Sequence, residues 1–313
     1  MTTETEIRMG DTRTPYIAAA AGALRAAGMW SDETWMLLGL TGLGFHLVVD
    51  PGTCPSSPTA YDWTAAHTDA MQRIGVSSRC VECFEASGYE AARDEAVAMI
   101  KASLDRGAPA VIRTFDYAEF AIVTGYDDAD GVFFVVDITG DADPILFANL
   151  GRPHGSPFLF AQVFDVQEPF DLHEAAVASL RYAVACWRGD GFPASPIYHY
   201  RLGAEGYRAL IDAVESATTD PLGLRYILRI LADARAGIAR YSARLAELDV
   251  VPALADLYAG VAAATGRAAE LLPAEPPFER PLDAGVAPEA AAALREASEV
   301  EERAVHEIER VPE

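Results

Sequence analysis

The stretch "EFAIVTGYDD" (119–128), continued by "ADGVFFVVD" (129–137), decides how the chain is read. Two runs rich in Val, Ile and Phe flank the acidic turn "YDDADG". That pattern predicts two antiparallel strands joined by a hairpin connection. Its anomaly is Glu119, a carboxylate heading an apolar strand. One reading has Glu119 facing solvent or tied to a nearby cation such as Arg113. The other has it in an apolar pocket, where a carboxylate is harder to ionise and can act as a general base or bind a cation.

Working outward, "PAVIRTF" (109–115) precedes the hairpin and "PILFAN" (144–149) follows it, and both read as strands. "SSRCVECFE" (77–85) is a further short strand. Upstream, "TPYIAAAAGALRAAGM" (14–29) reads as a helix, with Thr14 as N-cap, Pro15 in the first turn and Gly28 as a stop. "YEAARDEAVAMIKASLDRG" (89–107) is an amphipathic helix ending at Gly107. Helices followed by strands without βαβ alternation predict an α+β domain over residues 1–168. From "FDLHEAAVASLRYAVACWRG" (170–189) onward the chain reads as a helical domain, 169–313. Asp171 and Glu174 make a capping box, and Asp220-Pro221 opens two long helices. A Pro-rich linker near 273–288 leads to a charged last helix. That helix is polar enough to lie at the periphery or to pair with a second subunit.

The chain has 313 residues, 51% of them apolar, enough to bury a sizeable core. Its 47 acids against 24 Lys and Arg give a net charge of −23, which repels phosphate backbones and excludes nucleic acid as an expected partner. No apolar run is long enough for a membrane span and the N-terminus is polar, so the expectation is a cytoplasmic protein with no membrane partner. Four cysteines make no disulfide framework. Cys80 and Cys83 are spaced like a redox or zinc pair, but on a strand they point to opposite faces, so they read as small buried residues. The six histidines are scattered, and Asp127, Asp128 and Asp130 lack the closing Glu of a calcium loop. No metal site and no cofactor is expected. "GLTGLGF" (39–45) lacks the Lys-Ser/Thr ending of a phosphate loop. Arg225, Arg229, Arg235, Arg240 and Arg244 spread around their helix and read as a salt-bridged surface.

Four motifs, "LLGLTGLGF" (37–45), "CPSSPTAYDW" (54–63), "IKASLDRGAPAVI" (100–112) and "FAIVTGYDD" (120–128), together with the helix at 14–29, resemble the papain-like cysteine-peptidase superfamily in its bacterial, bacteriocin-processing form. They are closer still to the N-terminal domain of the butirosin-biosynthesis acyltransferase family. The resemblance covers about the first 165 residues. It implies a papain-like fold and a nucleophilic mechanism. A Cys at the head of the first helix attacks a carbonyl, a His at the head of the hairpin strand takes the proton, and an Asp or Asn on the next strand orients the His.

At the position for the Cys this chain reads Thr14-Pro15-Tyr16, and no cysteine precedes Cys54. At the position for the His it has Glu119. Asp137 matches the orienting acid, although it also suits a turn before "TGDADP". The resemblance therefore implies Glu119, Asp137 and Thr14 as cleft residues. Tyr16, Thr41, Gly42, Trp63 and Tyr126 would contact a substrate, with the "GLTGLGF" turn walling the cleft. Thr14 equally reads as a plain N-cap. The expected function is that of a peptidase- or acyltransferase-like protein without the Cys–His pair. Its cleft would serve a small-molecule or acyl-carrier-bound substrate, by binding or by a non-thiol reaction. An active acyltransferase or hydrolase using Cys54 is the second reading, and a homo-oligomeric scaffold built on the helical half is the third.

Overall fold

The computed structural model describes residues 7–114, 119–152, 155–191, 199–216, 220–273, 282–283 and 285–310. His154, Tyr198 and most of the linker near 273–288 lie outside the described residues. In chain order the elements are α1 (Pro15–Ala26), α2 (Thr34–Leu40), β1 (Val48–Val49), α3 (Trp63–Arg73), β2 (Val76–Cys83), α4 (Tyr89–Asp105), β3 (Ala110–Arg113), β4 (Phe120–Asp127), β5 (Val132–Asp137), β6 (Gly140–Leu146) and β7 (Leu159–Gln167). Then follow α5 (Leu172–Arg188), β8 (Arg201–Leu202), α6 (Gly203–Glu215), α7 (Pro221–Glu247), α8 (Leu254–Leu271) and α9 (Ala287–Ile308). The mixture of helices with antiparallel sheet is α+β, as expected. Among the described residues no helix is long and apolar enough to cross a membrane.

The chain forms two compact units, residues 1–37 with 63–170 and residues 38–62 with 171–313. One of the breaks falls at 170. The excursion of 38–62 into the helical unit was not foreseen.

The first unit is built on a six-stranded antiparallel sheet of order β2-β7-β3-β4-β5-β6. The expected hairpin is β4–β5, with Ile122 opposite Val136 and Val123 opposite Val135. Alternation then sorts the side chains. Ala121, Val123, Ala161 and Val163 join Tyr89, Ala96, Met99 and Ile100 of α4 in one core. Phe120, Ile122 and Phe160 lie on the other face, where α1 packs on β3 and β4 and α3 packs on β2. The alanine-rich α1 sits very close to the sheet. A Cβ on Gly22 would come within 2.5 Å of Ile122 Cδ1 and 2.2 Å of the Arg8 carbonyl oxygen, so only glycine fits there.

Two strands differ from expectation. β6 occupies Gly140–Leu146, and Phe147–Asn149 is a 3-10 turn instead of the end of a strand. β7 was not anticipated, although it lies between β2 and β3. Its first six residues are all buried, so it lacks the alternation that marks a strand with one wet face.

In the helical unit the expected caps are present. Asp171 accepts from the Glu174 amide at 2.9 Å, and Asp220 accepts from the Leu222 amide at 3.0 Å. The charged last helix differs from expectation. α9 packs on α8, α6 and α5 and buries Ala290, Leu294, Ala297, Val300, Glu301 and Ala304 among others, so it is a core element. The arginine row is not all surface either, because Arg225 and Arg235 are buried.

Candidate functional site

The head of α1, the head of β4 and the first turns of α3 meet in an aromatic cluster within the first unit. Tyr16 is 1% exposed and its ring stacks on that of His67, with centroids 3.4 Å apart and planes 9° from parallel. Phe120 meets Tyr16 edge-on at 5.5 Å and His67 at 5.3 Å. Trp63 packs edge-on against Phe120 at 5.4 Å, Phe158 at 5.3 Å and Phe160 at 5.6 Å. Edge-to-face rings at these distances contribute beyond the area they bury. Trp63 and His67 stand four residues apart on α3, which puts them on one helical face.

Polar groups thread the cluster. The Tyr16 hydroxyl donates to Gln162 Oε1 at 2.8 Å, and Gln162 Nε2 donates to Ser78 Oγ at 2.9 Å. Gln162 is fully buried, so this relay satisfies an amide that would otherwise be costly. The Arg113 guanidinium is buried and lies 5.2 Å from the ring centres of both Trp63 and Phe120. Glu119 is also buried, at 6% exposure. Its carbonyl oxygen accepts from the Thr114 amide at 2.9 Å and from the Thr114 hydroxyl at 3.1 Å, which fixes the approach to β4. Thr14 is the N-cap residue of α1 but makes no side-chain cap, and its buried Oγ1 has no hydrogen-bond partner.

Of the residues expected to form a site, Thr14, Tyr16, Trp63 and Glu119 are therefore at or beside this cluster. Four others are elsewhere. Asp137 ends β5, and its Oδ1 accepts from the Thr139 amide and hydroxyl, each at 2.7 Å. It points the same way as Phe133 and Val135, which belong to the α4 core, on the face opposite Phe120. Its turn-forming role is the one the structure shows. Tyr126 is at the far end of β4, where its hydroxyl donates to Asp105 Oδ1 at 2.9 Å. That hydrogen bond raises its pKa, and Lys101 lies over its ring. Thr41 and Gly42 belong to the other compact unit. Thr41 is buried and donates to the Leu38 carbonyl oxygen at 3.2 Å. Gly42 has φ +78 and faces the Tyr182 ring, while a Cβ on Gly39 would fall 2.2 Å from Tyr241 Cγ. Helix packing accounts for the glycines of "GLTGLGF", in place of the expected wall of a cleft.

Sequence reasoning missed His67, treated as one of a scattered set, and Gln162, which lies in the unread β7. Arg113 entered only as a bland partner for Glu119. The Trp63/His67 spacing was the available signal.

The alternative nucleophile, Cys54, is an exposed free thiol in the other unit, with Sγ 3.1 Å from Ser56 Oγ. Among the described residues no group of three or more His, Cys, Asp or Glu could hold a metal ion. Compared with known proteins, the chain matches no family model and no curated sequence.

Proposed function

We propose that this protein is a divergent papain-like, butirosin-acyltransferase-like protein whose Cys–His chemistry has been replaced by binding of a small molecule or acyl group at the head of α1. The observation that carries the reading is the filling of that place. Tyr16 stands in the first turn of α1, its ring stacked on His67 and its hydroxyl committed to Gln162. An aromatic side chain so fixed supplies no nucleophile, and at 1% exposure it meets a ligand only where the cluster opens locally. Beside it, the buried Thr14 hydroxyl makes no hydrogen bond within the protein, so a carbonyl admitted by the same local opening would satisfy it. The packing of α1 on β3 and β4 is the helix-on-sheet arrangement that the resemblance implies, which supports the papain-like reading without establishing it.

A second reading keeps thiol chemistry at Cys54, on the strength of that thiol's exposure. One experiment separates the two. Butyryl-N-acetylcysteamine thioester is added to the wild-type protein, Thr14→Val and Cys54→Ser, with binding followed by ligand-detected NMR and cleavage by thiol release. The binding reading expects saturation transfer to the acyl chain, loss of transfer in Thr14→Val, and no cleavage. Thr14→Val keeps its shape and removes a hydroxyl with no partner, so its melting temperature should be unchanged. Thioester cleavage that disappears in Cys54→Ser establishes the second reading, and absence of binding to the wild-type protein overturns the first.

A further inference from the structure

The six-stranded sheet is covered unevenly. On the face that bears Phe120, α1 lies over β3 and β4 and α3 over β2. The same face of β5 and β6 carries large apolar side chains in water. Phe134 is 45% exposed, Leu146 48%, and Ile138, directly beyond β5, 50%. Register shows which of these belong together. Val132 pairs with Leu146 and with Asp127 on either side, and Val136 pairs with Asp141. Direct partners share a face, and Phe134 alternates with the buried Phe133 and Val135. The result is an exposed apolar pair, Phe134 and Leu146, with Asp127 beside it; Val136 is buried at 7%, so Ile138 stands apart, next to Asp141. Asp143, also exposed, lies where the β5–β6 register shifts. Two large apolar side chains exposed at diagonal positions with a polar rim mark an interaction surface more often than single exposed residues do.

We propose that this face docks a basic, amphipathic segment of a protein partner. Charge selects the occupant. The rim is acidic, and among the described residues Asp141 and Asp143 make no ion pair. A second copy of the chain would bring another net −23 against it, which disfavours self-association. The free edge of β6 is a poor template for strand addition, because Pro144 removes a donor and the register shift breaks the ladder. The partner is therefore expected on the face and not on the edge.

The test uses the full chain and a labelled 18-residue amphipathic helix of Leu and Lys, followed by fluorescence anisotropy at about 0.15 M salt, where long-range attraction is screened. Phe134→Ser/Leu146→Ser should weaken binding about tenfold or more, since two large side chains lose their burial. Asp141→Lys should weaken it and flatten its salt dependence. Leu248→Ser, which removes another exposed apolar side chain far along the sequence, should change nothing. Because the altered side chains point to solvent, melting temperatures should match wild type. Absence of binding, or equal binding by Phe134→Ser/Leu146→Ser, overturns the proposal. So does a concentration-dependent dimer in light scattering that this double variant abolishes, which would make the occupant a second copy.

Discussion

Each compact unit buries polar groups in its core, but the two do so in different ways. The helical unit holds a buried ion pair. Arg235 and Glu301 are 1% and 4% exposed at their side chains and meet at 2.9 Å. Tyr207 donates to the same carboxylate oxygen at 2.6 Å, and Arg235 Nη1 donates to the Gly44 carbonyl oxygen at 2.5 Å. Burial, then the charge of Glu301, pushes the Tyr207 pKa well above its ordinary value. Burial opposes the Arg235 charge, but Glu301 and the neighbouring phenols outweigh it and leave its pKa raised. At the head of α1 the relay Tyr16–Gln162–Ser78 is neutral, and Arg113 is held against aromatic faces. The ionic cluster commits both of its charges to the fold, joining α6, α7, α9 and the Gly44 turn. A buried hydroxyl without a hydrogen-bond partner lies beside each cluster, Thr14 at the head of α1 and Tyr258 by the ionic group. The ionic cluster, with both of its charges paired, is a structural clamp.

The sharpest way to break the comparison is to remove half of the clamp. Glu301→Leu strands the Arg235 guanidinium in a dry interior, and Arg235→Met strands the carboxylate. Each should cost about 3–5 kcal/mol in urea unfolding. The double variant Arg235→Met/Glu301→Leu should cost far less than the sum, because no charge is left alone. Additive costs would show that the two ions are not coupled, and the clamp would lose its meaning.

How far these clusters could be read from the sequence depends on the signal each left. The β4–β5 hairpin was legible because its apolar runs are broken by an acidic turn, and the caps Asp171 and Asp220 because their side chains act locally. Arg235 was misread as surface, although it stands four residues after Leu231 and three before Ile238, on the buried stripe of α7. Glu301 likewise falls between Ala297 and Val305 at helical spacing. Charge type outweighed position in that reading, and the position was right. β7 was invisible for the opposite reason: Gln162 is polar yet fully buried, so its residue types show neither an unbroken apolar run nor a period. The placement of 38–62 depends on a fit between glycines and the rings of Tyr182 and Tyr241, far apart in sequence, which no local pattern reports.

The neutral relay should answer more mildly. Tyr16→Phe removes a hydroxyl and leaves Gln162 Oε1 buried without its donor. The expected cost is about 1–3 kcal/mol by urea unfolding, below that of either clamp variant. If ring stacking alone held the head of α1, Tyr16→Phe would be neutral, and the relay would have no energetic role.

The smallest expected effect is at the sheet surface, and pH reads it. Asp165 on β7 accepts from Arg79 Nε at 2.8 Å and from Arg106 Nη2 at 2.9 Å, which ties β2 and the end of α4 to β7. The Arg79 hydrogen bond, more than the charges of Arg79 and Arg106, lowers the Asp165 pKa from its ordinary 3.8. A depressed folded-state pKa means that the unfolded chain takes up the proton first. The stabilisation is therefore complete above about pH 4 and is lost as pH falls through the lower folded-state value. Both arginines are about half exposed, so solvent screens the pair and its contribution is below about 1 kcal/mol. Asp165→Asn should lower stability slightly at pH 7, and its difference from wild type should shrink below pH 4. A difference that stays constant through that range would mean that the carboxylate acts by shape, not charge. The Asp165 contacts on this sheet would then differ in kind from the buried Arg235–Glu301 pair, where charge decides the cost.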